Sequence, residues 1–204
     1  MINKKLFFAG AAAAALTFAT PAMSAPITAN YVSNLCPGTC TDLATAGYTA
    51  TGGAVIDPAT TVSGSYKRPG EDTGNPAAVL SYNVTSSKND PSGATSPIDV
   101  TGLNGLFELY WGSVDSYNVL EFFSAGMSQG TYTGVNANSD ASSPGSPNNY
   151  GFDGYFTFTG TFDEVVLSSS NGVAFEMAAV PEPGTLALLG LGLVGLGARR
   201  RMKA

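Results

Sequence analysis

Histidine is absent from all 204 residues. That excludes His-based catalytic triads, histidine general acid–base catalysis and His-ligated zinc. Cations are scarce as well, 9 Lys and Arg against 15 acids. Six of the nine, Lys4, Lys5, Arg199, Arg200, Arg201 and Lys203, lie at the two ends of the chain, whereas of the acids only Glu182 does. The stretch between them keeps three cations against fourteen acids, a net charge of −11. Binding to nucleic acid needs a basic footprint, so no such partner is expected. The charge suits a soluble extracellular protein, or one that gathers divalent cations. Between the ends no stretch shows a 3.6-residue apolar period, and no internal repeat occurs.

The ends carry the clearest signals. Lys4 and Lys5 precede an uncharged run from Leu6 to Phe18, and small residues follow at Ala22, Ser24 and Ala25. A spanning helix needs about 20 apolar residues. The shorter run, its positive flank and the small residues form a secretory signal peptide, assigned to residues 1–25. Pro26 constrains the bond after Ala25, so cleavage is expected after Ser24. Export implies an oxidising setting, and the two cysteines, Cys36 and Cys40, are expected to pair as a local disulfide. Three intervening residues, and no βαβ pattern around them, argue against a redox pair.

At the other end, Pro181-Glu182-Pro183 precedes an apolar segment from Leu186 to Ala198 and the basic cluster Arg199, Arg200 and Arg201. The prolines stop any strand. The segment is apolar on every face, as in a membrane span, and its glycines are tolerated in lipid. The arginines would stop transfer and stay on the cytoplasmic side. These three elements, in this order, resemble the PEP-CTERM sorting signal, assigned to residues 180–204. The resemblance implies a substrate of exosortase, an integral-membrane cysteine protease-like enzyme. It also implies cutting near Pro181 to Pro183 and release to the cell surface or an exopolysaccharide matrix. An ordinary membrane anchor would explain the helix and the arginines but not the Pro-Glu-Pro.

About 150 residues lie between the signals, enough for one domain with a core. This body, residues 26–178, reads as β. Short runs rich in Thr, Val and Tyr at Tyr48–Ile56, Thr60–Lys67 and Ala77–Ser86 are bounded by Gly, Pro and Asn. Leu106–Trp111 and Tyr117–Phe123 are stronger, with Gly112–Ser116 expected as a hairpin connection. Gln129–Asn149 is expected to be a loop. Phe152, Phe156, Phe158 and Phe162 share one parity, and Asp153, Tyr155, Thr157 and Thr159 the other, so each set takes one face of a strand. Gly160-Thr161 marks a turn. Val165–Ser168 and Val173–Ala179 follow, with Asn171-Gly172 expected as a hairpin turn and Val173, Phe175 and Met177 inward. The expected fold is all-β, an antiparallel β-sandwich of jelly-roll type, flanked by the signal-peptide helix and a C-terminal transmembrane helix. No helix longer than two turns is expected in the body.

The densest unusual segment is Tyr110–Asn118. It resembles a segment that recurs in exosortase-dependent surface proteins with this kind of β domain, a likeness that extends to Gly160-Thr161-Phe162 and Ala174-Phe175-Glu176. Trp111, Asp115, Tyr117 and Asn118 are candidate carbohydrate-binding residues, an aromatic ring for a pyranose face with polar groups for its hydroxyls. The plainer alternative places Trp111 in the core of a tight hairpin. Asp140, Asn148, Asn149 and Asp153 carry the oxygen ligands calcium would need, but at no EF-hand spacing. No metal site and no cofactor is therefore assigned. Glu108 and Glu121 are candidate glycosidase carboxylates, although solvent-facing positions on adjacent strands explain them as well. Asn83-Val84-Thr85 is a glycosylation sequon. The leading expectation is a non-enzymatic surface or matrix protein associated with exopolysaccharide. A carbohydrate-binding module comes second and a secreted carboxylate-dependent hydrolase third.

Overall fold

Glycine, proline and asparagine interrupt this chain so often that no strand runs far before it must turn. The computed structural model describes residues 25–87, 97–142, 150–170 and 175–181. Its strands are β1 Thr28–Ser33, β2 Thr49–Gly52, β3 Ala54–Ile56, β4 Tyr82–Thr85, β5 Ile98–Thr101 and β6 Leu106–Val114. They continue with β7 Asn118–Ser124, β8 Met127–Thr133, β9 Phe152–Thr159, β10 Glu164–Ser169 and β11 Phe175–Ala178. Pro76–Ala78 forms a 3-10 turn, and helix α1 covers Gly134–Ala141.

The strands form two antiparallel sheets. One has six strands in the order β1-β9-β6-β11-β4-β3, the other five in the order β2-β5-β10-β7-β8. Period-two alternation gives each sheet an apolar inner face. Phe107, Leu109 and Trp111 of β6, Phe156 and Phe158 of β9, and Phe175 and Met177 of β11 meet Ile98 and Val100 of β5, Leu120 and Phe122 of β7, and Val165 and Leu167 of β10. Aromatic rings tie the layers together, with Phe122 5.3 Å from Phe158 of the opposite sheet and 5.0 Å from Phe162, while within the six-stranded sheet Trp111 lies 4.8 Å from Phe175.

The outer face of the six-stranded sheet is covered too. Tyr82 and Val84 of β4, Tyr110 of β6, Tyr155 of β9 and Ala178 of β11 form a second buried cluster with Cys36, Cys40, Ala59 and Val79. The covering residues come from loops, which is why both faces of β9 and β11 are buried. Cys36 and Cys40 are bonded to each other, their Cα atoms 6.2 Å apart, within this second layer.

Several expected elements are corrected. The expected hairpin at Gly112–Ser116 does not form, because β6 and β7 belong to different sheets and the segment arches between them. The cause is local: Trp111 and Val114 both enter the core although three positions apart, so the β6–β9 register shifts between them. Ser113 takes a positive φ of 49° there. Such an extra residue bends a strand out of its sheet. Likewise β10 and β11 lie in opposite sheets and do not pair as a hairpin; Asn171-Gly172 falls outside the described residues. Tyr48–Ile56 is not one strand. It breaks at Gly52-Gly53 and changes sheets, because a Cβ on Gly52 would lie 2.3 Å from the Pro97 carbonyl oxygen and one on Gly53 2.7 Å from that of Val84. Thr60–Lys67 is a turn closed by a Val62–Tyr66 bridge. Ala77–Ser86 begins as the 3-10 turn, and its strand shortens to β4.

The expected loop Gln129–Asn149 holds most of β8 and then α1. At eight residues α1 runs just over two turns, past the length expected of any helix in the body. The Thr133 hydroxyl accepts from the Asn136 N–H while the Asn136 side chain accepts from the Thr133 N–H. That reciprocal cap starts a helix whose composition alone reads as loop. No helix among the described residues is long and apolar enough to cross a membrane. The expected transmembrane helix from Leu186 to Ala198 and the signal peptide, up to Ser24, lie outside them.

Candidate functional site

Two buried acids on the outer face of the six-stranded sheet hold down the loop that roofs it. Glu176 sits on β11 between Phe175 and Met177, both core residues, so alternation turns it outward. It pairs in register with Gly112 of β6. A Cβ on Gly112 would lie 2.8 Å from Pro69 Cγ, so glycine lets the loop settle directly on the sheet. The Lys67 N–H donates to Glu176 Oε1 at 2.7 Å. Asp153 of β9 accepts from the Gly70 N–H at Oδ2 and from the Ser113 N–H at Oδ1, both at 2.9 Å. The Lys67 ammonium pairs with Asp72 rather than with either buried acid.

Glu176 is 2% exposed, and its Oε2 has no hydrogen-bond partner. Burial pushes its carboxyl up to about 8; the Lys67 N–H opposes the shift, and the charges of Asp115 and Asp153 add to it. Burial also raises Asp153, against the two N–H groups that lower it. Glu176 lines a cleft of about 300 Å³ together with Ser63, Ser65, Tyr66, Lys67, Ser113, Asp115 and Tyr117. The Tyr117 hydroxyl donates to Asp115 Oδ2 at 2.5 Å. Burial, then this bond, raises the Tyr117 phenol.

The four candidate carbohydrate residues therefore separate. Asp115 and Tyr117 reach the cleft. Trp111 and Asn118 do not: both are fully buried, and Trp111 packs on Phe175 and Phe156. Asn118 Oδ1 accepts from the Asp115 N–H at 2.9 Å and from Trp111 Nε1 at 3.4 Å, which fixes the arch out of β6. Trp111 is a core residue and presents no platform for a sugar. Glu176 was not legible as a site residue, although an acid inside the apolar run Phe175–Ala179 was the available signal.

The remaining candidates scatter. Glu108 accepts from the Tyr155 hydroxyl at 2.8 Å on the outer face of the six-stranded sheet. Glu121 accepts from the Ser128 hydroxyl at 2.8 Å on β7 of the other sheet. Their inward neighbours Phe107, Leu109, Leu120 and Phe122 meet in the core, so the two carboxyls point to opposite sides of the sandwich. Asp140 accepts from the Tyr132 hydroxyl at 2.6 Å, and Asp153 is committed as described; Asn148 and Asn149 lie outside the described residues. No group of three or more His, Cys, Asp or Glu side chains that could hold a metal occurs among the described residues. Asn83 of the sequon is buried, with its Oδ1 accepting from the Leu43 N–H at 2.7 Å.

Ala179 and Thr41 exchange backbone hydrogen bonds at 2.8 and 2.9 Å, and Val180 packs on the second cluster. Pro181 is half-buried at the edge of a larger cleft of about 670 Å³, which Tyr48, Leu103, Leu106 and Glu108 also line. Glu182, Pro183 and the arginines at 199, 200 and 201 lie outside the described residues.

Fold and cleft together define a two-sheet antiparallel β protein with an acidic cleft on one covered face. Residues 179–201 match the family model of the PEP-CTERM protein-sorting motif. The chain is thus a PEP-CTERM motif-bearing protein, and the motif implies an exosortase-targeted protein, exported and sorted at the membrane toward the cell surface. No curated protein and no solved structure matches the chain.

Proposed function

We propose that this chain is a non-enzymatic surface or matrix protein, carried out by the signal peptide at residues 1–25 and freed from the membrane by exosortase. In this reading the segment from Leu186 to Ala198 spans the bilayer before processing. The observation that carries it is the sorting motif at residues 179–201, which begins at Ala179, a residue paired with Thr41 of the body. A jelly-roll body is supported by strand order: β4-β11-β6-β9 opposes β5-β10-β7-β8, with successive strands crossing between sheets except at the β7–β8 hairpin. Mass spectrometry of the surface form tests the reading at both ends. It should find an N-terminus at Ala25 and a C-terminus between Pro181 and Pro183. A surface form that retains the arginines would reject it.

Contact with extracellular polysaccharide is the finer part of the proposal. Its support is the cleft that brings Asp115, Tyr117 and Glu176 together. A carboxylate-dependent hydrolase is less well supported. Glu108 and Glu121 sit on opposite faces, and in the cleft the Tyr117 hydroxyl occupies Asp115 Oδ2 while the Lys67 N–H occupies Glu176 Oε1.

A further inference from the structure

We infer that the cleft beneath the 61–70 loop is a binding site for one uncharged hexose unit of a polysaccharide, with the Glu176 carboxyl as its buried hydroxyl-recognising group. The inference rests on the reading that the body meets polysaccharide outside the cell, and it gives that contact a place and a chemistry. Glu176 Oε2 is a buried polar atom without a partner, on a residue that lines the cleft. Leaving such an atom unsatisfied costs free energy, which a ligand that satisfies it recovers on binding. Sequence economy gives no reason to place an acid between Phe175 and Met177; alanine or valine would pack there without that cost.

The rest of the wall decides which ligand fits. Tyr66 and Tyr117 supply ring surface, and Ser63, Ser65 and Ser113 supply small hydroxyl groups. The cleft, about 300 Å³, lies at the small end of ligand sites, the scale of one sugar ring. A divalent cation is the main competitor. It would need several converging oxygen ligands, with ionised carboxylates among them. Burial keeps Glu176 protonated through neutral pH, Tyr117 occupies one Asp115 oxygen, and no metal-holding group occurs among the described residues. A protonated carboxyl both donates and accepts, which matches a sugar hydroxyl. Its ionised form would only accept.

The test uses the full chain purified in detergent, applied to an array of neutral hexose oligosaccharides, with EDTA present and absent. Wild type should bind at least one oligosaccharide regardless of EDTA. Glu176→Gln keeps a donor and an acceptor at the same place and should bind within about twofold of wild type. Glu176→Leu should lose at least tenfold, as should Tyr117→Ala. Glu121→Gln, on the opposite sheet, should change nothing. A thermal melt checks folding of each variant; if Glu176→Leu does not fold, Tyr117→Ala and Glu176→Gln decide the matter. Absence of binding to every hexose oligosaccharide overturns the site. So does binding that survives Tyr117→Ala. Binding that EDTA and Glu176→Gln both abolish overturns it in favour of a cation site. The sorting reading stands or falls separately, on the C-terminus of the surface form.

Discussion

Trp111 and Glu176 lie on β6 and β11, the two central strands of the six-stranded sheet, and each shows how one side chain's surroundings settle its role. Trp111 has core rings on both sides and gives its indole N–H to Asn118. Removing a fully buried large aromatic leaves a cavity that the neighbouring strands cannot close. Trp111→Ala should therefore lower stability by about 3–5 kcal/mol, read from urea denaturation. A loss below about 1 kcal/mol would mean the ring is not packed as described. Glu176 makes the opposite kind of statement. Its folded pKa, about 8, lies above the ordinary 4.5. The folded state therefore holds the proton more tightly, and its contribution is complete below pH 4.5. That contribution is lost as pH rises from about 4.5 through 8, at up to about 1.4 kcal/mol per pH unit. Asp153, raised by burial, slopes the same way. Glu176→Gln should flatten the decline of stability across this window, measured by denaturation at pH 5 and pH 8. An unchanged slope would show that Glu176 does not titrate there.

At the scale of elements, alternation was legible and partnership was not. The parity of Phe152, Phe156, Phe158 and Phe162 placed β9 correctly, and all four contribute to or pack against the main core. Period two states which residues share a face, but not which strand lies alongside. Gly112–Ser116 and Asn171-Gly172 both have hairpin chemistry, yet β6 to β7 and β10 to β11 cross between sheets. What decides the matter at the first is the extra residue after Trp111, which feeds Val114 into the core and turns the chain out of its sheet. Helix α1 was hidden for a different reason: it rests on a side-chain cap between Thr133 and Asn136, not on an apolar stripe. The candidate site was half legible. Asp115 and Tyr117 lie in one unusual segment, whereas Glu176, Lys67 and Asp153 come from distant parts of the chain and meet only through the sheet. The second layer depends on a small covalent loop. Cys36–Cys40 closes few residues, so replacing both with serine should cost roughly 2 kcal/mol by chain entropy. The measurement is the urea midpoint of the double variant under oxidising conditions. No change there would mean that the loop is ordered without the bond.

At the scale of the whole chain, the sorting signal and the fold meet without a linker. Strand β11 lies between β6 and β4, near the middle of its sheet, and Ala179 and Val180 are still tied to the body. A cut upstream of Pro181 would strip residues from a packed sheet, whereas a cut after it removes none of them. Proline fixes its own φ and biases the residue before it toward extended backbone, so the Pro-Glu-Pro sequence favours the shape a protease engages. In the proposed topology the arginines at 199, 200 and 201 would keep the tail inside, which would place Pro181-Glu182-Pro183 at the outer surface of the membrane. Glu182 is the single charge between the prolines, and so the element an enzyme can recognise at that point. Glu182→Ala should leave the body folded, with an unchanged melting temperature, because the last strand among the described residues, β11, ends at Ala178. Insertion should also persist, since the apolar segment and the arginines remain. Release should fail, and the protein should accumulate in the membrane fraction at its uncleaved mass. If Glu182→Ala protein instead appears at the surface with the C-terminus of wild type, Glu182 is not the recognition element. The apolar segment would then be a plain anchor, and the body would reach the surface by another route.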